Sequence, residues 1–319
     1  MTTLDDLRQA IRLMSPAGAH TIALSFAACY VGSLYVSNKA RLKFEVQAKN
    51  PDNPRQERPR LAHERWRDDP DVIRARLLAV TIASVLSCLG VLALVWLRIE
   101  GVGAFETLAL TSDYLGLDWS PWKLTARSIL QHLVVPILFL GPLYATYLNQ
   151  TLPFQAFWDY DEYVLRKYFS FMGLRTYIIG PITEEITFRA CVLAVFHMGG
   201  VSRKQMIFLS PLTFGVAHVH HAWDTYNRYG RNLDALKRAL IGSSFQLFYT
   251  SVFGFLVAYV FVRTQSLAAP ITAHIFCNTM GFPDLLTELR MNPRHRKSIV
   301  AAYIIGIAGF VYTLPRWTQ

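Results

Sequence analysis

Gly180-Pro-Ile-Thr-Glu-Glu-Ile-Thr-Phe-Arg189 sets two adjacent carboxylates, Glu184 and Glu185, and a guanidinium, Arg189, inside an otherwise apolar run over about residues 174–198. If that run crosses a membrane, each ionisable group at mid-depth costs about 2.5–3.5 kcal/mol on insertion scales. Such groups persist when they are paired, wet or working. On a helix, Glu185 and Arg189 are four residues apart and share a face, so they can pair. Glu184 is turned away by roughly 100°. One carboxylate is then structural and the other is free for chemistry.

Composition agrees with a membrane setting. The 319 residues are 52% hydrophobic and 17% charged, with mean hydropathy +0.25, more apolar than an ordinary soluble domain. Apolar runs fall at residues 19–37, 77–97, 129–148, 174–198, 207–221, 240–261, 266–282 and 299–315, several of them close to the ~20 residues a bilayer requires. The expectation is a single all-α integral membrane domain over 1–319, a polytopic bundle of about eight transmembrane helices enclosing an intramembrane cavity that faces the cytoplasm. The runs at 174–198, 207–221 and 266–282 are the weakest, and they hold the polar groups. Pro136 and Pro142 are expected to kink the third span.

A net charge of +10 could suggest nucleic acid. The basic residues lie between apolar runs, however, and no nucleic-acid motif accompanies them, so the lipid bilayer is the expected partner and nucleic acid is not. The loop 38–76 carries Lys39, Arg41, Lys43, Lys49, Arg55, Arg58, Arg60, Arg65, Arg67, Arg74 and Arg76. It is expected to be cytoplasmic and partly disordered or laid on headgroups. Alternating outward from it places 22 basic residues inside and 9 outside, as the positive-inside rule demands. Residues 101–125, with Trp119 and Trp122, read as a segment on the opposite interface. Cys29, Cys88, Cys191 and Cys277 sit in apolar runs without CxxC spacing and are expected as free thiols.

Two further constellations match the first in depth. Phe214-Gly-Val-Ala-His218 sets an imidazole one turn from an aromatic ring, and His274-Ile-Phe-Cys-Asn278 sets an imidazole and a carboxamide on one face. A carboxylate beside an imidazole in a low-dielectric cavity can take and return the proton of a water molecule. A second imidazole with an amide NH2 suits the developing oxyanion of an attacked amide. No serine elbow and no HExxH occurs. Glu184, His218 and His274 could instead ligate zinc in a membrane metalloprotease. Buried Glu and His also serve proton-coupled transporters or scaffolds, although no internal repeat is seen. Each imidazole alone could be a plain interhelical donor. His220 and His221 fall at the boundary, and Cys277 is turned off the His274–Asn278 face with nothing to activate it.

Glu184-Glu185-x-x-x-Arg189, Phe214-x-x-x-His218 and His274-x-x-x-Asn278, in this order within a polytopic chain, resemble the type II CAAX prenyl proteases. These are the CAAX prenyl protease 2, or farnesylated-protein-converting enzyme 2, group of the broader glutamate-protease and abortive-infection family. The motifs cover about residues 180–280, and the catalytic core spans are expected within 174–282. The resemblance implies a multi-pass endopeptidase of the endoplasmic reticulum membrane, its site open to the cytoplasmic side. It would act without cofactor or metal on prenylated proteins ending in Cys-a-a-X, such as small GTPases. The last three residues would be removed after the cysteine is farnesylated or geranylgeranylated. By position, Glu184 and His218 would activate water, His274 and Asn278 would form the oxyanion site, and Glu185, Arg189 and Phe214 would support them.

The orientation has a direct check. Asn149-Gln150-Thr151 is a glycosylation sequon placed by this topology at the cytoplasmic boundary. The chain expressed in microsomes should keep its mobility after glycosidase treatment, and a glycan on Asn149 would reverse the orientation.

Overall fold

Residues 171–198, which contain the quoted motif, are wrapped by other helices over most of their length: Thr183, Glu185, every residue from Thr187 to Phe196, and Met198 are buried. The computed structural model describes residues 14–45, 53, 55–99, 101–117 and 125–319. In chain order the helices are α1 (Pro16–Val36), α2 (Pro70–Arg98), α3 (Ala104–Tyr114), α4 (Ala126–Leu138), α5 (Leu140–Leu148), α6 (161–169) and α7 (171–198). They continue with α8 (Arg203–Ala217), α9 (His221–Arg228), α10 (Leu233–Thr264), α11 (Ala268–Met280), α12 (Leu285–Met291) and α13 (Arg296–Trp317). The described residues form no strand, so the chain is an all-α polytopic membrane bundle, as expected.

Local chemistry fixes several helix ends. Ser15 caps α1 by accepting from the Gly18 amide at 3.1 Å, with Pro16 at the first helical position. Capping boxes open α4 (Thr125, Ser128) and α8 (Ser202, Gln205). Helix α7 closes on Gly199-Gly200: Gly200 takes φ +65°, its amide donates to the His197 carbonyl, and the Val201 amide donates to the Phe196 carbonyl at 3.0 Å.

Helix α7 is not regular. Its α-helical turns alternate with two wider π segments, Leu174–Ile179 and Ile186–Cys191, of the kind that gathers at functional sites. Gly180 ends the first. A Cβ there would lie 2.2 Å from the Arg175 carbonyl oxygen, so a side chain is excluded. Pro181 follows and has no amide to donate to the turn before it.

Four helices, α1, α2, α10 and the one ending at Trp317, are long and apolar enough to cross a membrane. The pair α4 and α5 is a possible fifth, bent by 69° at its break. Pro136 lies inside α4 and Pro142 in the first turn of α5, so the expected kink is a sharp break. The count of eight is not reached by length and apolarity. The shortfall lies in α7, α8 and α11, the three runs that looked weak in the sequence.

The basic loop is shorter than its sequence suggested. Helix α2 begins at Pro70, which takes Arg74 and Arg76 into a helix. Residues 46–52 and 54, like Trp119 and Trp122, lie outside the described residues. The described remainder packs against the bundle: the Arg58 Nε donates to the Asn227 carbonyl of α9 at 2.9 Å. Its Nη1 donates to Glu64 at 2.9 Å. Glu64 also accepts from the Trp66 indole and from the amides of Leu61 and Glu45.

Burial opposes the charge on Glu64, yet those donors hold its carboxyl down to about 2. Because that lies below the ~4.3 of an unfolded glutamate, the stabilisation is complete above about pH 4.3 and lost as pH falls toward the folded value. Hydrogen exchange across residues 55–69, corrected for intrinsic rates, should therefore rise between pH 6 and pH 3. Equal protection at both pH values would contradict this role, and Glu64→Gln should show the raised exchange already at pH 6.

Candidate active site

Helix α7 presents its two carboxylates to different surroundings. Glu185 is fully buried, whereas the Glu184 side chain keeps 23% of its surface. Oε2 of Glu185 lies 3.2 Å from Nε of Arg189, so the pair expected from the four-residue spacing is present although the turn between is π. Geometry there is not that of a forked hydrogen bond, and both Nη atoms of Arg189 are buried without a hydrogen-bond partner. The guanidinium instead lies 4.4 Å from the centre of the Phe214 ring, where the ring's negative face offsets part of the lost hydration. Gly254 of α10 leaves room for it, since a Cβ there would meet Pro211 at 2.6 Å and Arg189 at 3.4 Å.

His274 joins α11 to both glutamates. Its Nδ1 lies 2.7 Å from Oε1 of Glu185, and its Nε2 lies 3.7 Å from Oε2 of Glu184. Glu185 accepts the Nδ1 proton and so fixes the ring's orientation, as a carboxylate does for a working histidine. The other nitrogen is left facing Glu184. The Phe253 and Phe214 rings meet His274 at 5.0 and 6.3 Å and close its remaining sides.

Phe214 and His218 meet edge to face at 4.7 Å, as their spacing required. His218 stands just beyond the last residue of α8, not within the helix. Its Nδ1 donates to the Phe214 carbonyl at 2.8 Å, which leaves Nε2 as an acceptor. No hydrogen bond or ion pair joins His218 to Glu184 directly. Asn278 donates one Nδ2 hydrogen to the Thr176 carbonyl at 2.8 Å, which anchors α11 to the first π segment and leaves the second hydrogen uncommitted.

Glu184, Glu185, Arg189, Phe214 and His274 thus form one contiguous cluster, with His218 against Phe214 and Asn278 one turn along α11. Cys277 instead packs beside the apolar cluster of Phe139, Val257 and Ala273. All four cysteines are free. Among the described residues, no three His, Cys, Asp or Glu side chains are gathered to hold a metal ion. Supporting residues missed in the sequence are Tyr30, whose hydroxyl meets Thr183 Oγ1 at 3.0 Å, and Ser84, which meets Thr187 Oγ1 at 3.0 Å. Neither stands out within its apolar run.

A buried acid–imidazole cluster shared by three helices of a membrane bundle defines a class of membrane hydrolase candidates, and similarity to known proteins narrows it. Residues 166–280 match the family described as type II CAAX prenyl endopeptidase Rce1-like. CAAX prenyl protease 2 of Homo sapiens is 33% identical over 304 residues, 93% of this chain and 80% of the human protein. The probable CAAX prenyl protease 2 of Schizosaccharomyces pombe is 29% identical over 295 residues, 92% of each chain. CAAX prenyl protease 2 of Arabidopsis thaliana is 40% identical over 140 residues, 44% of this chain and 42% of the plant protein. No solved structure matches. The chain belongs to the type II CAAX prenyl endopeptidase family and is a membrane-bound peptidase.

Removing one member of a buried ion pair costs about 3–5 kcal/mol, because the other charge is left alone. Arg189→Leu should therefore lower the unfolding midpoint of the detergent-solubilised protein strongly, and adding Glu185→Gln should recover part of the loss. A double variant no more stable than the single would show that the pair is not what stabilises this core.

Proposed function

We propose that this protein is an endopeptidase of the endoplasmic reticulum membrane that removes the terminal tripeptide from farnesylated or geranylgeranylated Cys-a-a-X proteins, small GTPases among them. The family assignment supports the substrate class. Support for the chemistry comes from one observation: of two adjacent glutamates, one is sealed by Arg189 and His274, and the other stays partly open with an imidazole on one side. The bilayer supplies the substrate, since a prenyl chain partitions into it. The spans within 174–282 are the catalytic core, reached from the cytoplasmic side.

Glu184 takes a proton from water as the oxygen attacks the scissile carbonyl carbon. His218 accepts a hydrogen bond from the second hydrogen of that water through Nε2, because its Nδ1 proton is held by the Phe214 carbonyl; that hydrogen stays on the attacking oxygen. Glu184 and His218 act through that water, so neither residue has to touch the other. His274, held at Nδ1 by the Glu185 carboxylate, donates a hydrogen bond from Nε2 to the oxyanion and keeps its proton. Asn278 donates its uncommitted amide hydrogen to the same oxygen. When the tetrahedral intermediate collapses, the carbon–nitrogen bond breaks and Glu184 returns its proton to the leaving amine. Every proton is thereby accounted for by the chain and one water.

Mass spectrometry of a prenylated Cys-a-a-X peptide incubated with the purified protein tests this. The wild type should release the intact tripeptide. Glu184→Ala and His218→Ala should release none while still accumulating in membranes, and Asn278→Ala should slow release by about 10²–10³-fold. Full activity of Glu184→Ala would remove the mechanism.

A further inference from the structure

Around the opening of the site the chain places more positive charge than it neutralises. Arg175, on the first π segment of α7, pairs with Asp68 at 3.1 Å. Arg228 of α9 pairs with Glu57 at 2.8 Å and Asp68 at 3.0 Å, with Asp224 at 3.6 Å. Two guanidinium groups beside them have no such partner. Arg76, in the first turns of α2, is 7% exposed. Its Nε donates to the Ala40 carbonyl at 2.9 Å, but its Nη2 is buried with no hydrogen-bond partner. Arg67 is partly buried, and among the described residues its guanidinium makes no hydrogen bond, ion pair or ring contact.

Arg67 is nevertheless held in place. Its backbone carbonyl accepts from Arg175 Nη1 at 2.9 Å, which ties it to the helix that carries Glu184. Electrostatically it acts on Glu184, Asp224 and Asp68. Tyr249 of α10 feels both Arg67 and Glu184, and His221 feels Arg67, Arg76 and His218. Asp68, the next residue, pairs with Arg175 of α7 and Arg228 of α9, so the segment carrying the uncommitted cation is tied both to the helix that bears Glu184 and to the one that follows His218. Burial and Arg175 push the Arg67 guanidinium down from its ordinary value, while Asp224, Asp68 and Glu184 oppose that shift. Arg67 and Arg76 also repel one another.

Desolvated charges in folded proteins are ordinarily paired, so two neighbouring guanidinium groups at one opening call for an anion from outside the chain. The tripeptide-releasing reading supplies one. A terminal α-carboxylate, with an ordinary pKa near 3.3–3.7, is charged at any physiological pH. In an extended chain it lies three residues, about 10–11 Å, beyond the scissile carbonyl.

We propose that Arg67, backed by Arg76, binds the free α-carboxylate of the substrate's last residue and thereby sets the cut three residues from the end. This assignment rests on the endopeptidase reading above and adds to it a subsite for the C-terminal carboxylate. It gives the basic loop a task at the site: residues 55–69 carry Arg67 against α7 and α9, and the contacts of Arg58, Glu64 and Asp68 hold it there. Arginine suits the task, because its planar fork can take both carboxylate oxygens at once.

The test compares two prenylated Cys-a-a-X peptides, one ending in the free acid and one in the carboxamide, cleaved by the full chain in detergent or nanodiscs. For the wild type, kcat/KM should favour the acid by about 10²-fold, the scale expected when one partner of a desolvated charge pair is removed. Arg67→Gln should lose a similar factor on the acid and bring the acid-to-amide ratio close to 1, and Arg67→Lys should retain an intermediate ratio. A merely structural role for Arg67 would slow both peptides alike and leave the ratio unchanged, which would overturn the assignment. Equal cleavage of the two peptides by the wild type, abolished by Glu184→Ala, would overturn the carboxylate subsite and leave the endopeptidase reading standing. Cleavage of neither peptide would overturn both. The comparison on wild type needs no variant to fold.

Discussion

A carboxylate sealed from water and shared between a guanidinium and an imidazole is the constraint on which this structure turns. Glu185 cannot be left alone in an apolar bundle, and its two oxygens are divided between Arg189 of its own helix and His274 of α11. That division fixes the rotation of α7 about its axis, the approach of α11 and the orientation of the His274 ring. The stacking of Arg189 on Phe214 then brings in α8, and with it His218. Three helices are aligned by one buried charge. Glu184, the adjacent residue, is left partly exposed with the His274 Nε2 3.7 Å from its carboxylate.

The helices that carry this cluster are poorly suited to cross a membrane unaided. Helix α8 has 15 residues and α11 has 13, and α7 is interrupted by charges and π turns. They are held by longer apolar helices: α1, α2 and α10 pack against α7, and α13 closes against α4 and α5. A wider turn at Leu174–Ile179 exposes the Thr176 carbonyl that Asn278 uses, a contact that a regular helix would have spent on its own ladder.

Much of this was legible in the sequence because ionisable residues in an apolar run are expensive and hence few. The pairing of Glu185 with Arg189, the different surroundings of Glu184, and the contact of Phe214 with His218 all follow from helical spacing, and all are found. The positions of Pro136 and Pro142 marked the broken helix pair. What could not be read is tertiary. Nothing in a linear pattern says that His274 bridges both glutamates, that Asn278 is anchored to Thr176, or that Tyr30 reaches Thr183. The π turns escaped because Gly180-Pro181 looks like ordinary punctuation. The basic loop was misjudged in part for a similar reason. Its arginines suggested solvent and headgroups, whereas Arg58 is buried between Glu64 and the Asn227 carbonyl of α9, the latter a contact between residues far apart in the chain.

The account reduces to a claim about position: water, Glu184 and the scissile carbonyl must meet in the chamber that Glu185 organises. The most direct measurement is an experimental structure of the Glu184→Gln variant with an uncleaved prenylated Cys-a-a-X peptide bound. The account predicts the scissile carbonyl carbon within about 3.5 Å of a water held by residue 184 and His218, its oxygen turned to His274 and Asn278. A peptide bound with that carbonyl remote from residue 184, or with its oxygen directed toward lipid, would contradict it.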